Sequence, residues 1–275
     1  MMGRALSAEL YGIRHRGSYL AASAVWLLQI VLFAYVANYV VSLTLTDLDA
    51  NQIQAMKDSV LPAGITGAVV GSLPMYGGPV MIILGALMGA GDQRAGMLRT
   101  VLSRYPERGR FMSAKLVALT LLVGALMVVT FLVAFICGLT VAVIEGTQWS
   151  LPPVADLAAG LGAAWLIGVA WAVFGFAIAV LTRSLAGTIA IGLLWALVVE
   201  QVLHGLAGVA AALEPVRGAL LSGASAVLAE AVGGTGGMPA GAPDLSLPVG
   251  IGVLAAWIVV GGTVAVVVFR RRDVE

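Results

Sequence analysis

The chain has 275 residues, of which 60% are hydrophobic and only 11% are charged, and its mean hydropathy is +1.02. A soluble domain has about a quarter of its residues charged, so this composition excludes an ordinary soluble fold and indicates an integral membrane protein. The net charge of +1 argues against a nucleic-acid-binding protein, and the single cysteine, Cys137, excludes an intrachain disulfide.

The first residues predict a short helix that lies in the membrane interface. Residues 1–17 place Leu6, Leu10 and Ile13 at helical spacing, with charged residues between them. An ordinary positively charged flank would have the same residues, and the sequence leaves both interpretations open. The apolar run that follows is longer than the core of a signal peptide, so we expect no cleaved signal peptide.

Long uncharged stretches then predict an all-α integral membrane fold, a single domain with six transmembrane helices. A helix of about 20 apolar residues crosses a bilayer, and barrel strands would be shorter and would alternate in polarity. The predicted spans are residues 20–41, 63–90, 112–143, 157–181, 185–206 and 247–269. Pro74, Gly77 and Gly78 predict a kink in the second span.

The distribution of basic residues predicts the orientation of these spans. With the amino terminus inside, only Lys57 and Arg217 of the fifteen basic residues fall on the outer side. Because cytoplasmic loops carry the excess of lysine and arginine, we expect both termini in the cytoplasm. The expected location is the plasma (inner) membrane of a prokaryote, as a multi-pass protein.

The segment 91–111, between the second and third spans, predicts a short amphipathic helix on the cytoplasmic side. An apolar stripe is formed by Leu98, Val101, Leu102 and Tyr105. Pro106 ends the helix because the residue before a proline avoids the α region. Such a helix can contact a soluble partner and pass force into the membrane. A plain positive-inside anchor would have the same arginines, and this alternative stays open.

This loop resembles the coupling loop in the permeases of type-2 ABC transporters. That loop has an acidic residue four positions before Gly-Thr-Leu-Arg, then an Arg-Pro-x-Ser-Arg run, and a lysine seven residues after its last arginine. The residues that match in type and spacing are Asp92, Gly96, Leu98, Arg99, Leu102, Arg104, Arg108 and Lys115. The chain departs from the pattern at Met97 and at Pro106, which comes one position late, next to Glu107.

The resemblance implies the permease subunit of an ATP-driven exporter. Two six-span chains, identical or paralogous, would pair and rest on two cytoplasmic ABC ATPase subunits, with Glu107 and the matching residues at the ATPase contact. The ATPases would bind ATP and Mg²⁺. Neither Lys57 nor Lys115 follows a glycine-rich phosphate loop, so we expect this chain to bind no cofactor and to have no ATPase site.

The few charges in the spans favour a hydrophobic, amphipathic or peptide-like cargo, and membrane lipid is the expected surrounding. Residues 207–246 predict short helices that are followed by a glycine-rich flexible linker. The resemblance implies that such helices return into the outer leaflet and help to gate the exit. An ordinary solvated loop is the alternative.

Polar residues inside the spans are candidates for a gate or a substrate route, because ionisable groups are costly at membrane depth. Glu200 lies about 25 Å along the helix from Arg183, and His204 follows one turn later on the same face. An outer gate and a Glu–His pair that reaches water both fit this pattern. The candidate residues are Asn38, Glu200, Gln201 and His204.

Two further patterns concern helix packing. Gln29 and Asn38 in the first span predict hydrogen bonds between helices. Gly67-x-x-x-Gly71 and Gly85-x-x-x-Gly89 would permit close helix approach, but chance repeats are expected in a chain with 35 glycines.

Two other functions remain open at this point. One is a non-transporting anchor, or a subunit that transmits force within an ABC-type complex. ATPase activity that a substrate stimulates would distinguish transport from this alternative. The other is an intramembrane enzyme, for which Glu200 and His204 show neither a third catalytic partner nor a set of metal ligands in the sequence.

Overall fold

The computed structural model describes residues 2–44, 50–94, 108–207, 214–234 and 241–271. Over these ranges the chain is helical and contains no β-strand, and six of the helices are long and apolar enough to cross a membrane. The predicted all-α fold with six spans is therefore confirmed. By the length and composition of these helices, the chain is a multi-pass membrane protein.

Six spans and four shorter helices make up the part of the chain that the structure describes. In chain order they are α1 (Met2–His15), α2 (Gly17–Thr44), α3 (Ala50–Ser59), α4 (Pro62–Gly91), α5 (Arg108–Glu145), α6 (Val154–Thr182), α7 (Leu185–Leu206), α8 (Glu214–Ala219), α9 (Leu221–Ala231) and α10 (Leu247–Arg271). The spans are α2, α4, α5, α6, α7 and α10. With 38 residues, α5 is about 57 Å long, so it extends beyond a hydrocarbon core of about 30 Å.

Three spans change locally from α-helix to π-helix. These π-helical segments are Ile30–Ala37 in α2, Leu73–Gly77 in α4 and Trp195–Val199 in α7. The segment in α4 contains Pro74, which has no N–H to give to the helix, so a π-helical turn lies where the kink is predicted. Single π turns often mark functional positions in helices, and the one in α7 ends immediately before Glu200.

The centre of the bundle is the contact between α4 and α6. In the most apolar window of each span, 72% of α6 and 61% of α4 is buried, against 11% of α10. Gly85 lies against the carbonyl of Ala172, and Gly175 lies against the carbonyl of Ile82, so closely that a Cβ at either glycine would overlap backbone. The two backbones can approach this closely only because these positions have no side chain.

Both glycine repeats therefore make real contacts, and the expectation that they occur by chance is wrong. A Cβ on Gly89 would lie 2.6 Å from the Cβ of Ala179 in α6. A Cβ on Gly67 would lie 2.5 Å from the carbonyl oxygen of Gly233, which follows α9. The start of the segment predicted as a flexible linker thus packs on α4, whereas residues 235–240 lie outside the described residues.

The two ends of the bundle differ in chemistry. Because the spans alternate in direction, α2, α5 and α7 begin at the end where α4, α6 and α10 finish, and we call this the Lys115 end. There the rings of Phe111 and Phe269 lie 6.4 Å apart and join α5 to α10. The opposite end, where α7 finishes and α8 and α9 follow, is the Glu200 end.

Candidate functional site

Four polar residues are buried together at the Glu200 end, and we call them the polar cluster. Glu200 and His204 come from α7, Arg217 from α8 and Ser222 from α9. Their exposed fractions are 0%, 3%, 6% and 1%, respectively. Buried polar groups are costly unless they bind one another, so the cluster must join these three helices through its own hydrogen bonds.

Glu200 uses both of its carboxylate oxygens. Oε1 accepts a hydrogen bond of 2.8 Å from Nε1 of Trp195, in the π-helical segment of its own span. Oε2 accepts from the backbone N–H of Ser222 at 2.8 Å and from the Ser222 hydroxyl. Ser222 lies in the first turn of α9, where backbone N–H groups have no partner within the helix and a negative charge is favoured. Glu200 therefore holds the N-terminus of α9 against α7.

His204 connects the same serine to α8. Its Nε2 lies 2.7 Å from Oγ of Ser222, and its Nδ1 accepts from Nε of Arg217 at 3.2 Å. The Nη2 of Arg217 donates to the carbonyl of Gly241, just before α10. A Cβ on Gly223 would overlap the carbonyl of Arg217, so the turn between α8 and α9 requires glycine there.

Only one placement of the protons satisfies the hydrogen bonds described for the cluster. Arginine carries donors and no acceptor, so Nδ1 of His204 must accept and the ring proton must lie on Nε2. Nε2 then donates to Oγ of Ser222, and the serine proton is left to bind Oε2 of Glu200. The hydrogen bonds thus run from the guanidinium, through a neutral imidazole and a hydroxyl, to the carboxylate.

This geometry decides two of the alternatives that the sequence leaves open. A Glu–His pair that reaches water is wrong, because both side chains are buried and connected through Ser222. A solvated loop after the fifth span is wrong for α9, because every residue from Leu221 to Ala229 is buried. The predicted short helices of this segment are confirmed as α8 and α9.

Sequence reasoning missed Arg217 and Ser222. Arg217 had a usable signal, because it is one of two basic residues on the side predicted to be poor in them. Ser222 had none, since a serine beside Leu221 in a segment rich in alanine and glycine looks like any other small residue.

The other predicted gate residues lie apart from the cluster's hydrogen bonds. Asn38 donates from Nδ2 to the carbonyl of Ala34 at 3.0 Å, within its own helix, so the predicted bond to another helix is wrong. Oε1 of Gln29 is buried and has no hydrogen-bond partner among the described residues. Gln201 is half-buried beside Glu200 and shares none of the hydrogen bonds described for the cluster.

Asn38 instead lines a cavity of about 470 Å³, between α2, α3, α4 and residues 232–234. Its lining includes the rings of Phe33 and Tyr76, which stack with their centroids 4.9 Å apart. No described residue of the lining is charged, and its side-chain polar groups are hydroxyls and one amide. This volume lies in the range of small-molecule sites, of about 300–1,000 Å³.

Most of the predicted ATPase-coupling residues lie outside the described residues, at positions 95–107. They are Gly96, Leu98, Arg99, Leu102, Arg104 and Glu107. The other predicted coupling residues flank this segment. Asp92 directly follows the span α4, whose last α-helical segment is Gly78–Arg94, and Arg108 is the first residue of α5.

Lys115 is the one predicted coupling residue whose side chain the structure describes, and it is 2% exposed. Its Nζ lies 3.3 Å from both carboxylate oxygens of Glu9 in α1 and 3.3 Å from the carbonyl of Met88 in α4. It also lies 5.3 Å from the centre of the Phe111 ring. Lys115 therefore joins α1, α4 and α5 inside the bundle and does not present its charge at the surface.

Among the residues that the structure describes, no group of three or more His, Cys, Asp and Glu side chains could hold a metal ion.

Comparison with known protein families gives a match that covers most of the chain. The family model described as "Protein of unknown function (DUF2705)" matches residues 71–275, which include the polar cluster, the loop 95–107 and most of α4. A search of the curated proteins finds no match.

Proposed function

The chain belongs to the DUF2705 family, and we propose that it is the transmembrane permease subunit of an ATP-driven exporter of the type-2 ABC class. Its partners in this proposal are two cytoplasmic ATPase subunits, which bind ATP and Mg²⁺, and a second permease chain. The loop 91–111 contacts the ATPase and both termini face the cytoplasm. The cargo is hydrophobic, amphipathic or peptide-like.

The observation that carries this proposal is the burial of α9 at the Glu200 end. A connection between two spans needs only to cross the surface, yet α9 packs on α4, α6 and α10 and is attached to α7 through Glu200. It fills space between spans without being part of one. A gate requires such an element, since it must close the end of a pathway and still be able to move separately from the spans.

The arrangement at the Lys115 end supports coupling to an ATPase. The helix α5 begins at Arg108, directly after the loop, and Lys115 lies about 10 Å further along it. Because Lys115 is bound to Glu9 and to the Met88 carbonyl, a displacement of α5 acts on α1 and α4 together. Force applied at the loop would therefore reach the α4–α6 contact at the centre of the bundle.

The cavity between α2, α3 and α4 favours transport over a role limited to force transmission. Its uncharged lining, with stacked rings and hydroxyls, suits an amphipathic group with an apolar body. It lies at the Glu200 end, where cargo would leave in the proposed orientation. A subunit that only transmits force has no need for a cavity of this size.

The direction of hydrogen bonding in the cluster argues against a serine hydrolase. In a catalytic triad the histidine accepts the serine proton, and an acidic residue binds the other ring nitrogen. Here the proton of His204 faces the Ser222 hydroxyl, the serine donates to Glu200, and an arginine occupies the position of the acid. His204 therefore cannot accept the serine proton as the histidine of a triad does.

The proposal is tested on the tagged protein purified from membranes of its source organism and reconstituted in liposomes. We expect ATPase subunits to co-purify, and ATP hydrolysis that depends on them. Hydrolysis by the isolated chain would contradict the proposal. Hydrolysis with no movement of cargo would favour the force-transmitting alternative.

The loop is tested with Arg99→Ala combined with Arg108→Ala, and separately with Leu98→Asp. If these residues dock the ATPase, losing one partner of a buried interfacial charge pair costs about 2–5 kcal/mol of binding, which is more than ten-fold in affinity. The matched control is Arg271→Ala with Arg272→Ala, which removes two positive charges that the sequence predicts on the cytoplasmic side, outside the loop. Full retention of the ATPase in both loop variants would show that the loop is only a topological anchor.

A further inference from the structure

We propose that the cavity between α2, α3 and α4 is a binding site for an uncharged amphiphile. Such a molecule has an apolar body and a single head that carries hydroxyl or amide groups. It is either the cargo or a lipid of the surrounding membrane, and the same chemistry recognises both. Where it is the cargo, the inference rests on the proposed function, but binding requires no ATPase and is measured without one.

Aromatic rings form one end of the cavity, near the middle of the membrane. Phe33 and Tyr76 stack almost parallel, with their centroids 4.9 Å apart. Tyr76 lies about 21 Å along α4 from its first residue, Pro62, and the whole span is about 45 Å long. An apolar body therefore meets aromatic surface at the depth where the surrounding bilayer is hydrocarbon, and its head would lie nearer the Glu200 end.

Two polar side chains of the lining can bind such a head. Thr66, about 6 Å along α4, is 7% exposed, and its hydroxyl has no hydrogen-bond partner among the described residues. Its methyl group lies against Gly160 of α6, so the hydroxyl points away from that helix. Asn38 donates to the Ala34 carbonyl, which leaves its Oδ1 as an acceptor. Because a buried hydroxyl is costly without a partner, Thr66 is suited to bind a polar group in the cavity.

The charged residues of α3 do not supply a counter-charge for the head. Nζ of Lys57 lies 3.6 Å from Oε2 of Glu145, and Asp58 accepts from Nε2 of Gln54 at 2.9 Å. Neither Lys57 nor Asp58 is among the described residues that line the cavity. A charged head would therefore lose its hydration without gaining an ion pair from the described lining, which is costly, whereas hydroxyl and amide groups can exchange water for the polar groups there.

A second cavity, of about 440 Å³, adjoins the first at Ala63, Thr66 and Val232. Its lining includes Asp156, which is exposed in the first turn of α6. An exposed carboxylate is hydrated and screened by solvent, so it would contribute little to the binding of a cationic head. We therefore expect the uncharged head to bind best, and a cationic head is part of the test.

The test compares three probes that share one unsaturated chain and differ in their heads. They are 1-monooleoylglycerol, which is uncharged, oleyl sulfate, which is an anion, and oleyltrimethylammonium, which is a cation. A monooleoylglycerol with a photoreactive group near the end of its chain is added to the full-length protein in phosphatidylcholine nanodiscs. We expect it to label α2 and α4 near Phe33 and Tyr76. Unlabelled monooleoylglycerol should compete about ten-fold better than either charged probe.

One pair of variants tests the head. Thr66→Val keeps the methyl group that faces Gly160 but removes the hydroxyl, so binding of monooleoylglycerol should weaken about five-fold. The matched control is Thr140→Val in α5, which lies outside the described lining and whose hydroxyl binds the Ile136 carbonyl of its own helix. This control should bind the probe as the wild type does.

A second pair of variants tests the apolar body. Phe33→Ala removes one of the stacked rings and should weaken binding about five-fold, because aromatic contacts stabilise an apolar body. Leu32→Ala is the matched control, since Leu32 is 44% exposed and Phe33 45%, and Leu32 is not among the described lining residues.

Three outcomes would overturn the proposal. They are equal competition by the three heads, a preference for oleyltrimethylammonium that Asp156→Asn abolishes, and binding that Thr66→Val leaves unchanged. Binding that also raises ATP hydrolysis by the assembled complex would identify the molecule as cargo, and binding without that effect would identify it as a membrane lipid; both results support the site. A failed exporter assay would leave the binding result as it stands.

Discussion

The contact between α4 and α6 is made by closely packed backbone, whereas the contact between α7 and α9 is made by hydrogen-bonded polar groups. In the first, glycines bring two backbones together, and Gly85 and Gly175 each face a carbonyl of the other helix. In the second, the carboxylate of Glu200 holds α9 through hydrogen bonds to Ser222, and His204 extends the connection to α8. The first contact depends on close packing of the backbone. The second depends on which polar atoms of the cluster carry protons.

Only one of these two contacts has alternative arrangements of similar energy. Close-packed backbone has no alternative arrangement of similar energy, and a small displacement loses many contacts at once. A chain of hydrogen bonds has a small number of proton arrangements, and a single proton selects among them. We therefore expect the α4–α6 centre to move as one body and the Glu200 end to change around it.

The largest loss of stability is expected from Gly85→Leu. A Cβ here overlaps the Ala172 carbonyl, so the two spans must separate along their contact, at a cost of about 3 kcal/mol or more. The measurement is unfolding in mixed micelles. Gly162→Ala in α6 is the matched control, because nothing lies within 4 Å of its Cβ, and it should leave the unfolding midpoint unchanged or raise it. Equal stability of the two variants would show that the α4–α6 contact does not depend on the absence of a side chain at Gly85.

Glu200→Ala is expected to have the next largest effect. It leaves three donors without a partner: the backbone N–H of Ser222, its hydroxyl and the indole of Trp195. At about 1 kcal/mol each within a membrane protein, the loss is about 3 kcal/mol. Hydrogen exchange of the α9 amides should become faster as this stability is lost. The neighbouring Gln201→Ala, outside the cluster, should change stability by less than about 0.5 kcal/mol, and an equal loss in both variants would refute the role of Glu200.

The ion pair at the Lys115 end gives a smaller effect. Glu9→Gln leaves the buried ammonium of Lys115 with the Met88 carbonyl and a neutral amide, and we expect a loss of about 2 kcal/mol of stability. Adding Lys115→Met removes the uncompensated charge and should recover most of that loss. The double-variant cycle is measured by unfolding in micelles, and additive losses would show that the two residues do not act as a pair.

The smallest effect is expected at the surface of the Glu200 end. Nζ of Lys57 in α3 lies 3.6 Å from Oε2 of Glu145 at the end of α5, and the two side chains are 32% and 26% exposed, respectively. Solvent screens such a pair, so Lys57→Ala should cost less than about 0.5 kcal/mol. A loss of stability as large as that of Glu200→Ala would mean that burial does not make the polar contacts of Glu200 stronger than the exposed Lys57–Glu145 pair.

The sequence was sufficient to predict the spans but insufficient to predict the contacts between them. Distances between charges predicted six helices, and Pro74 predicted a kink at the position where α4 has its π-helical turn, because both depend on local chemistry. The glycine repeat at Gly85 was read as chance, since composition alone cannot tell which glycines face another backbone. Glu200 and His204 were found because charge is rare at membrane depth, but Ser222 became visible only when α9 was placed beside α7.

Lys115 is a second residue whose contacts could not be predicted from the sequence. Its spacing from Arg108 matched the loop of the resembled permeases, and the sequence therefore predicted it at the ATPase contact. The structure places it inside, on Glu9, which lies more than a hundred positions earlier in the chain. A pairing over that separation leaves no local pattern in one sequence.

The proposed function requires that the two ends of the bundle face opposite sides of the membrane, with the Lys115 end in the cytoplasm. In a Cys137→Ser background, single cysteines replace Ser103 in the loop and Thr235 after α9, and intact cells are treated with a thiol reagent that cannot cross the membrane. We predict labelling of Thr235→Cys in intact cells, and labelling of Ser103→Cys only after the cells are opened. Labelling of both from the same side would contradict the six-span arrangement, and with it the proposed ATPase contact and the outer position of the polar cluster.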